Sequence, residues 1–290
     1  MIQRLEGYLG IDPAATAPED TSETRPPTRR QRLVEPEEDE LDALSAPFEP
    51  FKDLCKRRFL WYYESYLAAI KKGKAEVRDG TPFKRMPFEA PGSNTMDGKF
   101  NWSQLELRIN KIKTKLGVET KEWLEEGRLA ASKGTTVAVN LQHQFDHIVA
   151  SFKRSDMPHD VRLVDDNPFE WAITYFGRPM TNLDGGMLRI KMLFSIRFPT
   201  EQPRVTFVTK LFHHHVAPDG TVCYRPKMTK SEDVSSHIDA IFKILEEDDP
   251  AYDPREIVYP EATRLYWGNS PADKKTFNRK LRRSVQDSME

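Results

Sequence analysis

Four strand-like segments in the second half of the chain restrict its fold more than any other feature. Residues 161–164 and Glu170–Phe176 alternate between apolar and polar side chains, as half-buried antiparallel strands do. Met187–Phe194 follows a turn signal, Asp-Gly-Gly at 184–186, and the apolar run Val205–Thr209 comes next. The sequence therefore predicts a four-stranded antiparallel meander.

Helical patterns lie on both sides of these strands. Apolar residues recur at helical spacing over 141–152 before the strands and over 238–245 after them. A proline in the first turn predicts two further helices, which begin at Pro260 and Pro271. We therefore expect one α+β domain over residues 135–290.

The preceding segment, residues 46–134, has a purely helical character. Phe51–Lys72 carries apolar and aromatic residues at helical spacing and predicts an amphipathic helix. Asn101 is a helix start signal, and Gly117 is expected to end the helix that begins there. Thr120–Ala131 predicts a third, weaker helix. These patterns indicate a helical accessory region without a recognisable catalytic motif.

The first 45 residues have the composition of a disordered tail. Their one aromatic residue is Tyr8, prolines are frequent, and Glu35–Asp42 is an acidic run. A short basic run over 25–32 could be a nuclear-import or acid-binding signal, or simply part of a solvated tail. We expect residues 1–45 to be disordered.

Charge and cysteine content limit the partners and the compartment. The 44 basic and 45 acidic residues nearly cancel, giving a net charge of −1, so nothing attracts the whole chain to nucleic acid or a membrane. Cys55 and Cys223, the only cysteines, lie far apart and indicate a reducing compartment. No apolar run approaches the roughly 20 residues of a membrane span, and the N-terminus lacks a secretory signal. We expect a cytosolic or nuclear protein without nucleic-acid or membrane partners.

Cys223 stands just beyond a strand, three histidines and a Pro-Asp-Gly turn at 218–220. A cysteine is more often a small buried apolar residue than a nucleophile, but a short, fixed segment suits a nucleophile. The histidines suggest a metal. On an extended chain, however, neighbouring side chains point to opposite faces, which leaves only His213 and His215 to share an ion. We therefore expect neither a metal nor a cofactor.

Several segments resemble the ubiquitin-conjugating enzyme family, and they follow one another in the family's order. Residues 209–216, Thr-Lys-Leu-Phe-His-His-His-Val, are similar to its T-K-x-[YFW]-H-P-N-[VI], and 219–223, Asp-Gly-Thr-Val-Cys, to its D/N-G-x-[IV]-C. Residues 167–179, with Asn-Pro-Phe-Glu-Trp, resemble its N-x-[FL]-x-W segment. Leu-Asp-Gly-Gly-Met-Leu at 183–188 and Pro-Glu-Ala-Thr-Arg-Leu-Tyr at 260–266 match two further motifs. With a final helix like the family's, the resemblance covers about residues 137–288.

The resemblance implies the ubiquitin-conjugating fold and acyl transfer through Cys223. An activating enzyme, in an ATP-dependent pathway, would place ubiquitin or a ubiquitin-like protein on this cysteine as a thioester, which an amine then attacks. His215 stands where the family has an asparagine that steadies the oxyanion or the neighbouring loop, and a neutral imidazole can donate one N–H there. Because imidazole titrates near pH 6.5, we expect discharge to change between pH 6 and 8. His213 is expected to tie the loop to the backbone.

The family also places an acidic or small polar residue in the loop before Pro260. Glu256 falls at that place and Asp253 is second, so either carboxylate can accept the amine's proton or orient the amine. The other interpretation is a solvated acidic loop. The acceptor stays open as well, because a histidine at position 215 is compatible with a preference for N-terminal amines over lysine.

Two loops that meet the ligase in the family differ here. The loop over 198–207 is shortened, and 227–233 replaces a Trp-Ser-Pro segment. The sequence therefore predicts a non-standard ligase or none, with residues 46–134 doing part of that work. Two alternatives to an enzyme stay open: an inactive variant that serves as a ubiquitin- or partner-binding scaffold, and a helical adaptor that works through residues 46–134.

Overall fold

The fold is that of a computed structural model of the chain. The residues that it describes are 1–11, 51–84, 98–155, 158–227, 230–247 and 251–289. The helices are α1 Ile2–Tyr8, α2 Lys52–Glu76, α3 Trp102–Ser132, α4 Thr136–Arg154, α5 Val234–Glu246, α6 Pro260–Tyr266 and α7 Pro271–Gln286. The strands are β1 Asp160–Val164, β2 Asn167–Phe176, β3 Met187–Leu193 and β4 Arg204–Phe207.

The strands form the predicted meander, a four-stranded sheet in the order β1-β2-β3-β4 with every pair antiparallel. β2 begins at Asn167, earlier than the alternation indicated, because its first residues are buried as a continuous run. The alternation divides the sheet into two faces. One face carries Trp171 and Tyr175 and packs in the main core with α5, where Phe242 meets the ring of Tyr175.

Helix α3 lies against the opposite face of the sheet. Arg204 of β4 places its guanidinium 4.8 Å from the ring centroid of Trp123 on α3. Further along α3, Gly127 packs directly on Phe169 near the start of β2, whose side chain belongs to the main core, and a β-carbon on Gly127 would lie 2.8 Å from the β-carbon of Phe169. The accessory helices therefore pack on the α+β domain and are not a separate arm.

Helices α1, α2 and α3 share a second apolar core. Its fully buried members include Leu5 of α1, Phe59 of α2 and Ile112 of α3. The carboxylate of Glu6 accepts two hydrogen bonds from Arg108. The prediction of disorder is therefore wrong for residues 1–11, because their apolar side chains are buried between α2 and α3; residues 12–45 lie outside the described residues.

Helix α3 also corrects the prediction that Gly117 ends one helix and that Thr120–Ala131 forms another. The chain stays helical through both. Glycine destabilises a helix interior by only about 1 kcal/mol, and buried side chains on either side of it, Leu116 and Trp123, hold α3 against its neighbours. Asn101 caps α3 as predicted, since its side chain accepts a hydrogen bond from the N–H of Gln104.

The predicted helices over 51–72, 238–245, 260 onward and 271 onward are confirmed as α2, α5, α6 and α7. Residues 133–135 alone separate α3 from α4, and Thr135 caps α4. The predicted boundary near residue 134 therefore falls in a tight connection, and the division into domains stays a prediction. No helix within the described part of the chain is long and apolar enough to cross a membrane.

Two glycines of α3 test whether this helix is held against the sheet. Gly127→Ala should lower the free energy of unfolding by about 1–3 kcal/mol, because its methyl group would overlap Phe169. Gly117→Ala is the matched control: its β-carbon would meet open space, so it should raise stability by about 0.5–1 kcal/mol. Denaturant unfolding measures both, and a neutral Gly127→Ala would contradict the close packing of α3 on β2.

Candidate active site

Cys223 follows a hairpin that the backbone holds tightly. Its N–H donates to the carbonyl of His215 at 2.9 Å. The N–H of Phe207 at the end of β4 donates to the carbonyl of Gly220 at 2.8 Å. Gly220 has φ +86°, and a β-carbon there would lie 2.2 Å from the carbonyl oxygen of Phe207. Only glycine fits this turn, which brings the histidine segment and the cysteine side by side.

The three histidines lie together, contrary to the argument from an extended chain. The ring centroids of His213 and His214 are 4.2 Å apart, and those of His214 and His215 are 4.5 Å apart. The segment is not extended, because the N–H of Val216 turns back to the carbonyl of His213. Even so, no set of three or more histidine, cysteine or acidic side chains in the described residues is arranged to hold a metal ion.

Two of these histidines, His213 and His214, make contacts that hold the loop in place. Nδ1 of His213 accepts a hydrogen bond from the N–H of His215 at 3.2 Å, so His213 ties the loop to the backbone as expected. His214 packs against Tyr266 and Trp267. Neither nitrogen of His214 has a hydrogen-bond partner among the described residues. Its imidazole therefore behaves as an apolar aromatic ring.

Burial keeps His213 and His215 neutral. It lowers the pKa of His213 to about 3 and that of His215 to about 4, with Arg225 adding to the effect at His215. Nε2 of His215 lies 3.9 Å from a carboxylate oxygen of Glu256, which is too long for a hydrogen bond. The expected titration of His215 between pH 6 and 8 is therefore wrong for this conformation, because its ring is desolvated.

Cys223 itself is buried and only 1% exposed. Its side chain lies in a small apolar cluster with Ala217, Val258 and Trp61, the last contributed by α2. Burial raises the pKa of the Cys223 thiol to about 12, the charge of Glu256 adds to the rise, and Arg225 opposes it. At neutral pH this thiol is therefore protonated.

The two carboxylates proposed as proton acceptors have different surroundings. Asp253 caps a short 3-10 helix, Pro254–Glu256, and accepts hydrogen bonds from the side chain and N–H of Arg255, which lower its pKa to about 2. Burial raises the pKa of Glu256. A guanidinium nitrogen of Arg225 lies 3.4 Å from Glu256 and 3.9 Å from Asp253. Glu256 is therefore the better placed of the two to exchange a proton.

Helix α2 holds this acidic loop from the outside. The hydroxyl of Tyr62 donates to the carbonyl of Arg255, and that of Ser65 donates to the carbonyl of Ile257 at 3.0 Å. From α3, Lys113 pairs with Asp219 in the turn before Cys223. The accessory helices thus contact the loops on both sides of the cysteine.

Sequence reasoning missed two participants of this site. Trp61 of α2 is one of them, because no local pattern links it to a cysteine so distant in sequence. Arg225 received no role, although a basic residue two positions after the candidate nucleophile was a usable signal. Both become visible only when the chain is folded.

The fold and the site define a class. An antiparallel four-stranded meander with one helix before it, three after it and a cysteine segment following β4 is the ubiquitin-conjugating fold. A family model described as ubiquitin-conjugating enzyme matches residues 142–284.

Similar proteins agree with this family. The chain is 30% identical to "Ubiquitin-conjugating enzyme E2 3" of Arabidopsis thaliana over an aligned segment of 127 residues. This segment covers 43% of this chain and 79% of the relative. "Ubiquitin-conjugating enzyme E2 7" of Triticum aestivum is 42% identical over 59 residues, 20% of this chain and 35% of the relative. "SUMO-conjugating enzyme UBC9" of Caenorhabditis elegans is 46% identical over 57 residues, 20% and 34% of the two chains. The matches thus span only about a third of the last two relatives. The chain belongs to the ubiquitin-conjugating enzyme family.

The buried histidines predict acid sensitivity. Burial depresses the pKa of His213, His214, His215 and His237 below the ordinary value of 6.5. The unfolded chain therefore binds more protons below pH 6.5, and stability is lost as pH falls from about 6.5 towards 4. His214→Phe should reduce that loss by about 1.4 kcal/mol per pH unit below 6.5, and should stabilise the protein at pH 7 by about 1 kcal/mol, because it removes unpartnered buried nitrogens.

His237→Phe is the control, since that imidazole contacts the hydroxyl of Tyr224 at 2.9 Å and the carbonyl of Ser231 at 3.0 Å. It should destabilise the protein at pH 7 by about 1–3 kcal/mol. Denaturant unfolding between pH 4.5 and 8 measures both variants. If His214→Phe is the more harmful of the two, the apolar environment assigned to His214 is wrong.

Proposed function

We propose that this protein is a conjugating enzyme that carries ubiquitin or a ubiquitin-like protein as a thioester on Cys223 and transfers it to an amine. One observation carries the proposal above the others. In a domain of this family, the hairpin that ends at Cys223 places the cysteine beside His215 and within the electrostatic influence of Glu256.

The proposed reaction has two acyl transfers. Cys223 first gives up its thiol proton, and the thiolate attacks the thioester carbonyl that the activating enzyme presents. The activating enzyme's sulfur leaves as a thiolate, which takes up that proton. The acceptor amine then attacks the Cys223 thioester and forms an amide, Cys223 leaves as a thiolate, and the proton lost by the amine passes to a base. No oxidant or metal enters either step.

Glu256 is the base that the site supports. Its burial raises its pKa towards that of a useful proton acceptor, whereas Asp253 is tied to Arg255 and has a depressed pKa. Arg225 contacts Glu256 and so orients the carboxylate. Asp253 then has a structural role, as the cap of the turn that carries Glu256.

His215 is proposed to steady the oxyanion or its loop. It is neutral, which leaves one ring N–H to donate, and its Nδ1 has no partner among the described residues. Its carbonyl is fixed by the N–H of Cys223. A neutral donor of this kind fits the position of the family's asparagine, and it does not depend on pH between 6 and 8.

The partners of the proposed enzyme are a modifier, an activating enzyme and a ligase of non-standard type. The names of its relatives include both ubiquitin and SUMO, so the modifier is defined here only as a ubiquitin-like protein. On the loop over 198–204, Asp53 of α2 accepts hydrogen bonds from the N–H of Gln202 and the side chain of Arg204. Because α2 already contacts this loop, a ligase that binds the loop would have to bind α2 as well or displace it. The location proposed from the two unpaired thiols is a reducing compartment, the cytosol or nucleus.

The proposal is tested by loading. With activating enzyme, ATP and ubiquitin, the parent and Cys55→Ala should both form an adduct that a thiol reductant removes. Cys223→Ala should form none, and Cys223→Ser should form at most a reductant-resistant ester, because an oxygen ester is not exchanged by thiols. Gel electrophoresis without reductant measures the products, with a SUMO-type modifier and its activating enzyme in parallel.

An adduct that persists in Cys223→Ala and vanishes in Cys55→Ala would refute the assignment of Cys223. If the protein binds ubiquitin but neither the parent nor any variant with an intact Cys223 is ever loaded, the inactive ubiquitin-binding scaffold is the correct alternative.

Discharge separates the two carboxylates. Glu256→Gln should keep loading but slow discharge by about 10²–10³-fold, most strongly at low pH, where the amine is harder to deprotonate. Asp253→Asn should slow it less, since it loosens only the turn. The amine acceptors are free lysine and a lysine-free peptide with a free N-terminus. Comparing the two rates also tests whether the enzyme prefers N-terminal amines over lysine, the question raised by His215. Equal discharge by the parent and Glu256→Gln would mean that the loop is only a solvated acidic surface.

A further inference from the structure

Two faces of helix α2 make different contacts, one with the other accessory helices and one with the α+β domain. Its aromatic residues Phe59, Tyr63 and Tyr66 pack with α1 and α3 in the apolar core of the accessory helices. Trp61, Tyr62 and Ser65 instead contact the conjugating domain, around Cys223 and the acidic loop. The second face is thus not needed to hold the accessory helices together.

That second face closes the active site. Trp61 is 7% exposed and shares a contact cluster with Cys223, which is 1% exposed. Nε of Arg58, one turn before Tyr62 on the same helix, is buried without a hydrogen-bond partner among the described residues. Trp61 and the loop residue Val258 thus pack around Cys223, and almost none of the cysteine's surface is open to an incoming thioester.

The closure is anchored by specific polar contacts at several points. Tyr62 and Ser65 donate to the carbonyls of Arg255 and Ile257 on either side of Glu256. Asp53 at the start of α2 pairs with Arg204 at 2.7 Å. These contacts are hydrogen bonds and ion pairs, which water can replace, whereas the contacts of α2 with α1 and α3 are predominantly apolar. Breaking these polar contacts therefore frees the face of α2 that meets the active site, while its other face stays packed on α1 and α3.

We propose that α2 is an autoinhibitory cover, so that Cys223 can be loaded only after α2 has moved away from the active site. A carbonyl carbon must come within bonding distance of Sγ, and Cys223 is buried in a cluster to which α2 contributes Trp61. The consequence for loading rests on the proposed function. The closure itself does not rest on the proposed function, because the burial of Cys223 also hinders the approach of any small electrophile.

The test uses the full chain with Cys55→Ala, which leaves Cys223 as its one thiol. The variants are Trp61→Ala, which removes the cover, and Tyr62→Phe with Ser65→Ala, which removes both hydrogen bonds to the loop. Tyr63→Phe is the matched control, because its hydroxyl bonds Asn110 on α3 at 2.8 Å and not the loop. Alkylation by iodoacetamide at pH 8 measures access to the thiol, and loading with ubiquitin is measured in parallel. Unfolding curves establish that each variant is folded.

Iodoacetamide should alkylate the parent slowly. Alkylation should accelerate at least about tenfold in Trp61→Ala and several-fold in the double variant, since each lost contact favours the open state. Tyr63→Phe should match the parent, and loading rates should follow the same order.

Fast alkylation of the parent, or equal rates in all four folded proteins, would overturn the cover. Faster alkylation in the two cover variants without loading in any of them would support the cover and refute the proposed function, so the two failures are distinguishable.

Discussion

Desolvation of Cys223 is the constraint that connects the parts of this structure. A thiolate needs water or cations around it, and this thiol has apolar neighbours and the carboxylate of Glu256, which together raise its pKa. Arg225 and Arg58 act in the opposite direction, and they come from two different parts of the chain. The balance favours the neutral thiol. The protonation state of Cys223 therefore depends on how closely the accessory helices pack around it.

The sheet explains how helices so far from Cys223 in sequence reach it. Its strict alternation buries Trp171 and its neighbours in the main core on one face, and leaves Lys191 and Arg204 on the other. Helix α3 covers that second face, where Arg204 lies over Trp123. Because α2 packs on α3 through their shared apolar core, covering the sheet also brings α2 across the active site.

Much of the conjugating domain could be predicted from the sequence, because its signals are local. Alternation predicted β1 and β2, a turn signal preceded β3, and an apolar run predicted β4. Proline in the first turn predicted the starts of α6 and α7, and the order of the motifs indicated the family. The accessory region was harder. Gly117 was predicted to end a helix because glycine is a common helix terminator. Here buried side chains on both sides of Gly117 keep the helix continuous, and such packing is not visible in the local sequence.

The candidate site divides in the same way. The resemblance to the family implied that His215 lies near Cys223, and the structure explains it by a turn that only Gly220 permits. The protonation states did not follow, because the pKa values of His215 and Cys223 are set by burial. That burial depends on Trp61 and Val258, which are distant in the chain and carry no motif.

The hydrogen bonds that hold the acidic loop give the cover a second consequence. Both of them end on backbone carbonyls, those of Arg255 and Ile257, so the carboxylate of Glu256 between them stays available. Its position is nevertheless set by the loop, and α2 holds the loop. A movement of α2 that exposes Cys223 must also release the loop that carries Glu256. Under the proposed function, loading of Cys223 and placement of Glu256 are therefore coupled through one helix, although both residues lie in another part of the chain.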